Sequence, residues 1–209
     1  MWETQPSPFV TPRWFCVPSH RPAAFLRLLL RTMGNLYSYT YTSLDGVMAN
    51  PETWFSPYFS EELGDDLTRR LESSYAMVLG RQTYSEFAEF WPKQGSDVPF
   101  ADLNNKIQKL VVSKTLDHAD WNNSTVISVD DLTRLKSEGD LHITGSATLV
   151  RSLLESRLLD EIIIVMCPVV LGEGKRLFDG LEKTGLEMVK ATPFPEGVQC
   201  LTYRASSVY

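Results

Sequence analysis

The chain has 209 residues, of which 43% are hydrophobic and 22% are charged, an ordinary composition for a globular protein with one well-filled core. Its formal net charge of −6 argues against nucleic acid as a general partner, because phosphate backbones attract basic surfaces. The sequence contains no run of about 20 apolar residues, so it predicts no membrane-spanning helix. Cys16, Cys167 and Cys200 are too few and too far apart for a disulfide framework or a metal site, which makes the cytoplasm the simplest compartment.

The first 33 residues differ from the rest of the chain. They are rich in Pro and Arg, and Glu3 is their only acidic residue. An Arg-rich, acid-poor segment is typical of a transit peptide, and an upstream extension with Met33 as the biological start is the simpler alternative. We expect residues 1–33 to form a poorly ordered arm. Residues 34–209 show no linker or repeat, so we expect them to form one domain.

Strand and helix patterns alternate from residue 34 onward. Strands are predicted at 36–42, 75–79, 109–113, 125–128, 141–144, 161–166, 186–191 and 199–204. Helices are predicted at 60–73, 82–90, 129–138 and 147–157, the third with Asp130 or Asp131 supporting its start. Such alternation predicts an α/β fold with a central mixed, mostly parallel sheet flanked by helices. The turn residues Pro193, Pro195 and Gly197 predict a closing C-terminal hairpin.

The junction after the second predicted strand is the most informative local pattern. Gly80 follows an apolar strand and precedes a helix whose apolar residues recur at helical spacing. The free N–H groups of such a helix start attract phosphate, and the planar guanidinium of Arg81 suits phosphate oxygens. Thr83 adds a hydroxyl in the first turn. The structural alternative is an ordinary strand–helix turn with a solvated arginine.

Two further junctions follow the same plan. After the strand at 141–144, Gly145, Ser146, Ala147 and Thr148 open a helix with residues small enough to let a ligand approach the backbone. Their alternative role is ordinary helix capping. The third predicted strand ends in a hydroxyl and a cation, with Ser113 and Lys114 in sequence. Two helix starts and this strand end together suit a dinucleotide, although no strand is followed by Gly-x-Gly-x-x-Gly.

These motifs resemble the dihydrofolate-reductase-like superfamily. The matching residues are Gly-Arg-Gln-Thr-Tyr at 80–84, Val-Val-Ser-Lys at 111–114 and Thr-Gly-Ser at 144–146. The branch related to the C-terminal reductase domain of bacterial riboflavin biosynthesis is the more similar one. It shares Ser-Leu-Asp-Gly at 43–46, Leu-Asp-Glu at 159–161, Pro-Val-Val-Leu-Gly-Glu-Gly at 168–174 and Leu-Phe at 177–178. The resemblance covers residues 34–203.

The resemblance implies a three-layer fold and NADPH as cofactor. It places Arg81, Ser113 and Lys114 near the adenosine end, where two cations favour the 2′-phosphate. It further implies that the backbone of residues 145–148 holds the pyrophosphate. The second of these positions is glycine in the family, so Ser146 fits only with a negative φ.

The same resemblance offers two catalytic candidates. It places the loop containing Asp45 beside the nicotinamide, where Asp45 would shape the site; its alternative is a common Asp-Gly turn. A carboxylate in the first helix would supply a proton, and Asp66 lies next to the buried face of that helix. The alternative for Asp66 is a solvated acidic helix face.

Two functional hypotheses follow. The first is an NADPH-dependent reductase of a small heterocyclic, carbonyl or imine substrate, pteridine-like or pyrimidine-like. The resemblance to riboflavin-pathway reductases implies an arginine after the second strand that holds a ribityl phosphate, but the segment 85–92 contains no basic residue, which argues against a phosphorylated substrate. The second is a non-catalytic NADP-binding or interaction protein on the same fold. The expected partners are a small-molecule substrate and, in a homodimer, a second copy of the chain.

Overall fold

The computed structural model describes residues 33–206, so the predicted N-terminal arm, apart from Met33, lies outside the described residues. The described strands are β1 (Leu36–Thr42), β2 (Ala76–Gly80), β3 (Lys109–Val112), β4 (Ser124–Ile127), β5 (Leu141–Gly145), β6 (Glu161–Met166), β7 (Leu186–Pro193) and β8 (Gln199–Ala205). The described helices are α1 (Glu61–Ser73), α2 (Arg81–Phe90), α3 (Ala101–Lys106), α4 (Val129–Leu135) and α5 (Ala147–Glu155). None of the helices within residues 33–206 is both long and apolar enough to cross a bilayer.

The eight strands form one sheet in the order β4-β3-β2-β5-β1-β6-β8-β7. Strands β1 to β6 run parallel to one another, whereas β8 pairs antiparallel with both β6 and β7. The mixed, mostly parallel sheet and its C-terminal hairpin are therefore confirmed. All eight predicted strands are present, with ends that move by no more than two residues. The sequence pattern missed α3, whose six residues Ala-Asp-Leu-Asn-Asn-Lys carry no helical apolar stripe.

Apolar stripes fix how the long helices pack. In α1, Leu63 and Leu71 are buried, and the helix begins where the Ser60 side chain accepts a hydrogen bond from the Leu63 amide. In α4, Ser128 and Asp131 form a reciprocal capping box, so the helix start is supported by Asp131. Both devices are local, which is why the sequence pattern located these helix starts well.

The helices divide between the two faces of the sheet. Residues of α1, α2 and α3 share buried clusters with Met77 and Leu79 of β2, or with Tyr39 of β1. Residues of α4 and α5 share a different cluster with Val78 of β2 and Ile143 of β5. Because neighbouring residues of a strand point to opposite faces, α2 and α5 lie on opposite sides of the sheet. The result is a three-layer α/β molecule.

Strands β2 and β5 are neighbours, yet the chain leaves them in opposite directions. From the carboxyl end of β2 it enters α2 on one face, and from the carboxyl end of β5 it enters α5 on the other. This divergence makes a crevice at the edge of the sheet, and ligands of open α/β sheets bind at such switch points. The fold therefore points to the β2–β5 edge as the candidate site.

Candidate functional site

The two glycine junctions predicted from the sequence lie directly against each other. Leu79 pairs with Gly145 across β2 and β5. A Cβ atom added at Gly80 would lie 2.9 Å from the Ser146 hydroxyl oxygen, and one added at Gly145 would lie 3.0 Å from the Thr83 hydroxyl oxygen. The glycines thus let the two strand–helix junctions approach closely. Ser146 has φ −85°, so a serine is accommodated where the family has glycine.

Both helices begin at this edge with backbone N–H groups directed out of the helix. No side chain of the described residues caps α2, whose N-cap is Gly80. In α5 the Ser146 hydroxyl accepts a 3.4 Å hydrogen bond from the Leu149 amide. The amides of Ala147 and Thr148, which begin the helix, have no intrahelical acceptor. The side chains of Arg81 and Thr148 are exposed. Two helix starts, opposite in face but adjacent in space, therefore offer a concentrated set of donors for an anion.

The third predicted element lies one strand further along the same edge. Strand β3 pairs with β2 in parallel, so Ser113 follows the strand end beside Gly80. The Ser113 hydroxyl accepts hydrogen bonds from the amides of Thr115 and Leu116 at 3.2 and 3.0 Å, which makes it a turn-forming group. Lys114 is exposed. The structure thus brings the three sequence motifs to the ends of three consecutive strands, β3, β2 and β5.

Asp45 lies in the loop after β1, and hydrogen bonds hold its carboxylate. Its carboxylate accepts from the Ser43 hydroxyl at 2.7 Å and from the amides of Leu171 and Gly172 at 3.1 and 3.0 Å. These bonds, with Ser43 contributing most, hold the pKa of the Asp45 carboxyl well below its usual range. The group is ionised at neutral pH, so its contacts favour a role in shaping the loop over a role as proton donor.

Asp66 lies on α1 and belongs to an ion-paired cluster. Its carboxylate accepts hydrogen bonds from Arg70 Nε at 2.7 Å, Arg69 Nη2 at 3.3 Å and the Tyr39 hydroxyl at 3.4 Å. The cluster borders a cavity of about 450 Å³ between α1 and the β7–β8 hairpin. In the strand order, β1 and β6 separate this hairpin from the β2–β5 edge. Asp66 is therefore not the solvated helix face of the alternative reading, because its side chain is 13% exposed and ion-paired, and its contacts favour a structural role over that of a proton donor.

Replacing Asp66 with Asn should lower the free energy of unfolding by about 1–3 kcal/mol, because the half-buried Arg70 guanidinium loses its charged acceptor. Urea denaturation monitored by circular dichroism measures this change. Asp65→Asn is the matched control, since Asp65 is the exposed neighbour on the same helix. Equal stability of the two variants would contradict the structural role.

His142 is fully buried beneath the same helix. Its Nδ1 lies 3.1 Å from the Tyr37 hydroxyl, and burial lowers the pKa of the imidazole to about 3. The ring is neutral at physiological pH and has a structural role. Aromatic rings pack over β1 on this face. The ring centroids of Tyr41 and Phe55 are 4.3 Å apart, and those of Phe55 and Phe59 are 6.2 Å apart. Trp54 is packed beneath the loop and donates to the Ala49 carbonyl.

Sequence reasoning missed Arg176. Its guanidinium donates to the Asp45 backbone carbonyl at 3.0 Å and lies 3.4 Å from the Asp45 carboxylate. The available signal was its position between the two matched motifs at 168–174 and 177–178. That signal identifies a segment and does not identify the partner of one side chain.

One sheet between two layers of helices, with two helix starts side by side at its edge, defines the dihydrofolate-reductase-like class of α/β proteins. The model of the RibD C-terminal domain matches residues 36–200, and the chain belongs to that reductase family. The Bacillus subtilis (strain 168) protein YyaP is 29% identical over 136 residues, which are 61% of this chain and 72% of YyaP.

Two solved structures support the fold. A Shewanella sp. PV-4 protein with a provisional riboflavin-biosynthesis assignment superposes with a TM-score of 0.65 at 22% identity, covering 83% of this chain and 99% of that one. Dihydrofolate reductase from Enterococcus faecalis, complexed with NADP(H) and RAB-propyl, superposes with a TM-score of 0.57 at 19% identity. The superposition covers 84% of this chain and 98% of that one. The predicted family and fold are thereby confirmed.

Proposed function

We propose that this protein is an NADPH-dependent reductase of a small heterocyclic, carbonyl or imine substrate. The observation that carries the proposal is the contact between the Gly80 and Gly145 junctions, which brings two helix starts to one edge of the sheet. A dinucleotide has a pyrophosphate that such paired starts suit. Membership of a reductase family supports the same reading.

The residues at this edge fit the cofactor by their chemistry. The backbone amides of Ala147 and Thr148 would hold the pyrophosphate, and Arg81 and Lys114 would favour the 2′-phosphate. The bound cofactor supplies the hydride. The protein supplies orientation and charge, and the loop containing Asp45 is proposed to border the nicotinamide end.

The surface of α2 supports an uncharged substrate. Glu86 and Glu89 are exposed on this helix, and Lys93, which follows it, lies 3.9 Å from the Glu89 carboxylate. Beyond Arg81, which is proposed to bind the cofactor, α2 has no basic residue that could bind a phosphorylated substrate. The aromatic rings over β1 suit a flat, apolar one. A pteridine-like or pyrimidine-like acceptor therefore fits better than a sugar phosphate.

The test uses the full chain. NADPH is titrated while its fluorescence is followed, and carbonyl, imine, dihydrofolate and pyrimidine acceptors are then screened for loss of NADPH absorbance. We expect binding and oxidation with at least one acceptor. Binding without oxidation across the screen would favour a non-catalytic NADP-binding protein, and absence of binding would overturn the proposal.

A further inference from the structure

The loop containing Asp45 is joined to a distant part of the chain. Asp45 and Gly172 are 127 residues apart, yet the carboxylate of the first accepts a hydrogen bond from the amide of the second. The side chain of Asp45 is 22% exposed, so water competes only partly for these bonds. Both oxygens of the carboxylate are occupied, one by Ser43 and Leu171 and the other by Gly172 and Arg176.

Backbone hydrogen bonds continue the connection on both sides of Asp45. The Leu44 amide donates to the Val169 carbonyl at 2.7 Å, and the Met48 amide donates to the Lys175 carbonyl at 3.0 Å. Val47 and Arg176 form an antiparallel bridge. The segments 43–48 and 168–177, which follow the neighbouring strands β1 and β6, are thus bound together at the carboxyl edge of the sheet. We call this pair of segments the clamp.

A glycine shows how closely the clamp is packed. Gly174 has φ +119°, and a Cβ added there would lie 2.6 Å from Val47 Cγ1. No side chain fits between the two segments at this point. The clamp is therefore a built contact between two loops and not a chance approach of mobile ones.

Arg176 extends the clamp toward α5. Its Nη2 donates a hydrogen bond to the Gly172 carbonyl at 3.0 Å, and its Nε donates one to the Asp45 carbonyl. Arg151 of α5 donates to the carbonyls of Arg176 and Leu177 at 3.3 and 3.4 Å. The clamp is consequently connected to the helix whose first turn is the candidate pyrophosphate site.

We propose that Asp45 and Arg176 are positioning residues that hold the clamp at the nicotinamide end of the cofactor site. This inference rests on the proposed function. Asp45 acts through the loop it orders and contacts no reacting atom. It follows that breaking the clamp weakens the binding of the nicotinamide half and leaves the binding of the adenosine half unchanged.

The experiment compares two probes on Asp45→Asn. NADPH carries both halves of the cofactor, whereas adenosine 2′,5′-bisphosphate carries the adenosine end and no nicotinamide. Asparagine has a single acceptor oxygen, so it cannot accept from the Leu171 and Gly172 amides together, and one side of the clamp loses its hydrogen bonds. We expect the affinity for NADPH to fall about tenfold or more and that for the bisphosphate to stay within about twofold, as measured by calorimetry. Arg176→Lys should behave in the same way, because lysine keeps the positive charge but lacks the several planar N–H donors of the guanidinium.

The matched control is Glu173→Gln. Glu173 is exposed in the same segment, so this variant removes an equal charge without disturbing Asp45. Hydrogen exchange at the amides of Leu171 and Gly172 reports whether the clamp has opened, and a thermal melt reports the fold. The control should bind both probes as the wild type does.

The outcomes separate the two proposals. Weakening of both probes by Asp45→Asn would make the clamp a purely structural element and would overturn the inference. Unchanged NADPH affinity with an opened clamp would overturn it as well. A wild-type protein that binds neither probe would instead overturn the proposed cofactor site itself.

Discussion

Replacing Thr148 with glutamate should weaken NADPH binding by on the order of 2–3 kcal/mol without destabilising the protein. Thr148 is exposed in the first turn of α5, beside the amides proposed to hold the pyrophosphate. A negative charge about 5 Å from a phosphate costs about 3 kcal/mol at an effective dielectric constant near 20. The same charge stabilises the helix start by about 0.3–1 kcal/mol, and Arg151 follows at i+3. Binding and stability should thus change in opposite directions.

Thr148→Gln is the control for that substitution, because glutamine has the size of glutamate and no charge. NADPH titration and a thermal melt of the same preparations measure both effects. The glutamine variant should bind within about threefold of the wild type, whereas the glutamate variant should bind about 30- to 150-fold more weakly. If the two variants bind NADPH equally well, the start of α5 is not the pyrophosphate site.

Substituting Gly145 would not test this point as sharply. A side chain there would meet Thr83 of the neighbouring junction at 3.0 Å. Loss of binding in such a variant would therefore mix a packing defect with an effect on the ligand. Thr148 avoids this ambiguity, since its side chain is exposed.

Replacing Arg81 with alanine should weaken NADPH far more than NADH. Arg81 is exposed at the first residue of α2, and NADPH differs from NADH by the 2′-phosphate that this guanidinium is proposed to bind. Loss of one charge-assisted contact costs about 1.5–3 kcal/mol, roughly a tenfold to hundredfold loss of affinity. The NADH affinity should change by less than about threefold.

Arg134→Ala provides the comparison for Arg81. Arg134 is an exposed helix arginine of α4, on the opposite face of the sheet from α2. The Arg134→Ala variant removes one positive charge from the molecule without altering the β2–β5 edge. Fluorescence titration with both cofactors measures the four affinities. Equal losses for NADPH and NADH in Arg81→Ala would remove the argument for a 2′-phosphate contact.

The candidate carboxylates show the limit of sequence reasoning about a site. Asp66 was selected by its place on a helix face, but its role depends on which groups meet that face. In the folded protein Arg69, Arg70 and Tyr39 contact it, and Tyr39 is distant in sequence. Asp45 likewise belongs to a common turn motif, while its partners Leu171 and Gly172 come from another loop. Partner choice of this kind is non-local, so periodicity does not reveal it.

The sequence by itself determined the eight strands, the α/β class, the glycine junctions and the family, because these depend on local periodicity, capping and motif order. Only the tertiary structure decided that β5 inserts between β1 and β2, which places Gly145 against Thr83 and sets two helix starts side by side. It also decided that Arg176 completes the clamp around Asp45. The physical reason is that strand order and side-chain partners depend on how buried faces pack across the whole chain, and neighbouring residues in sequence do not encode that arrangement.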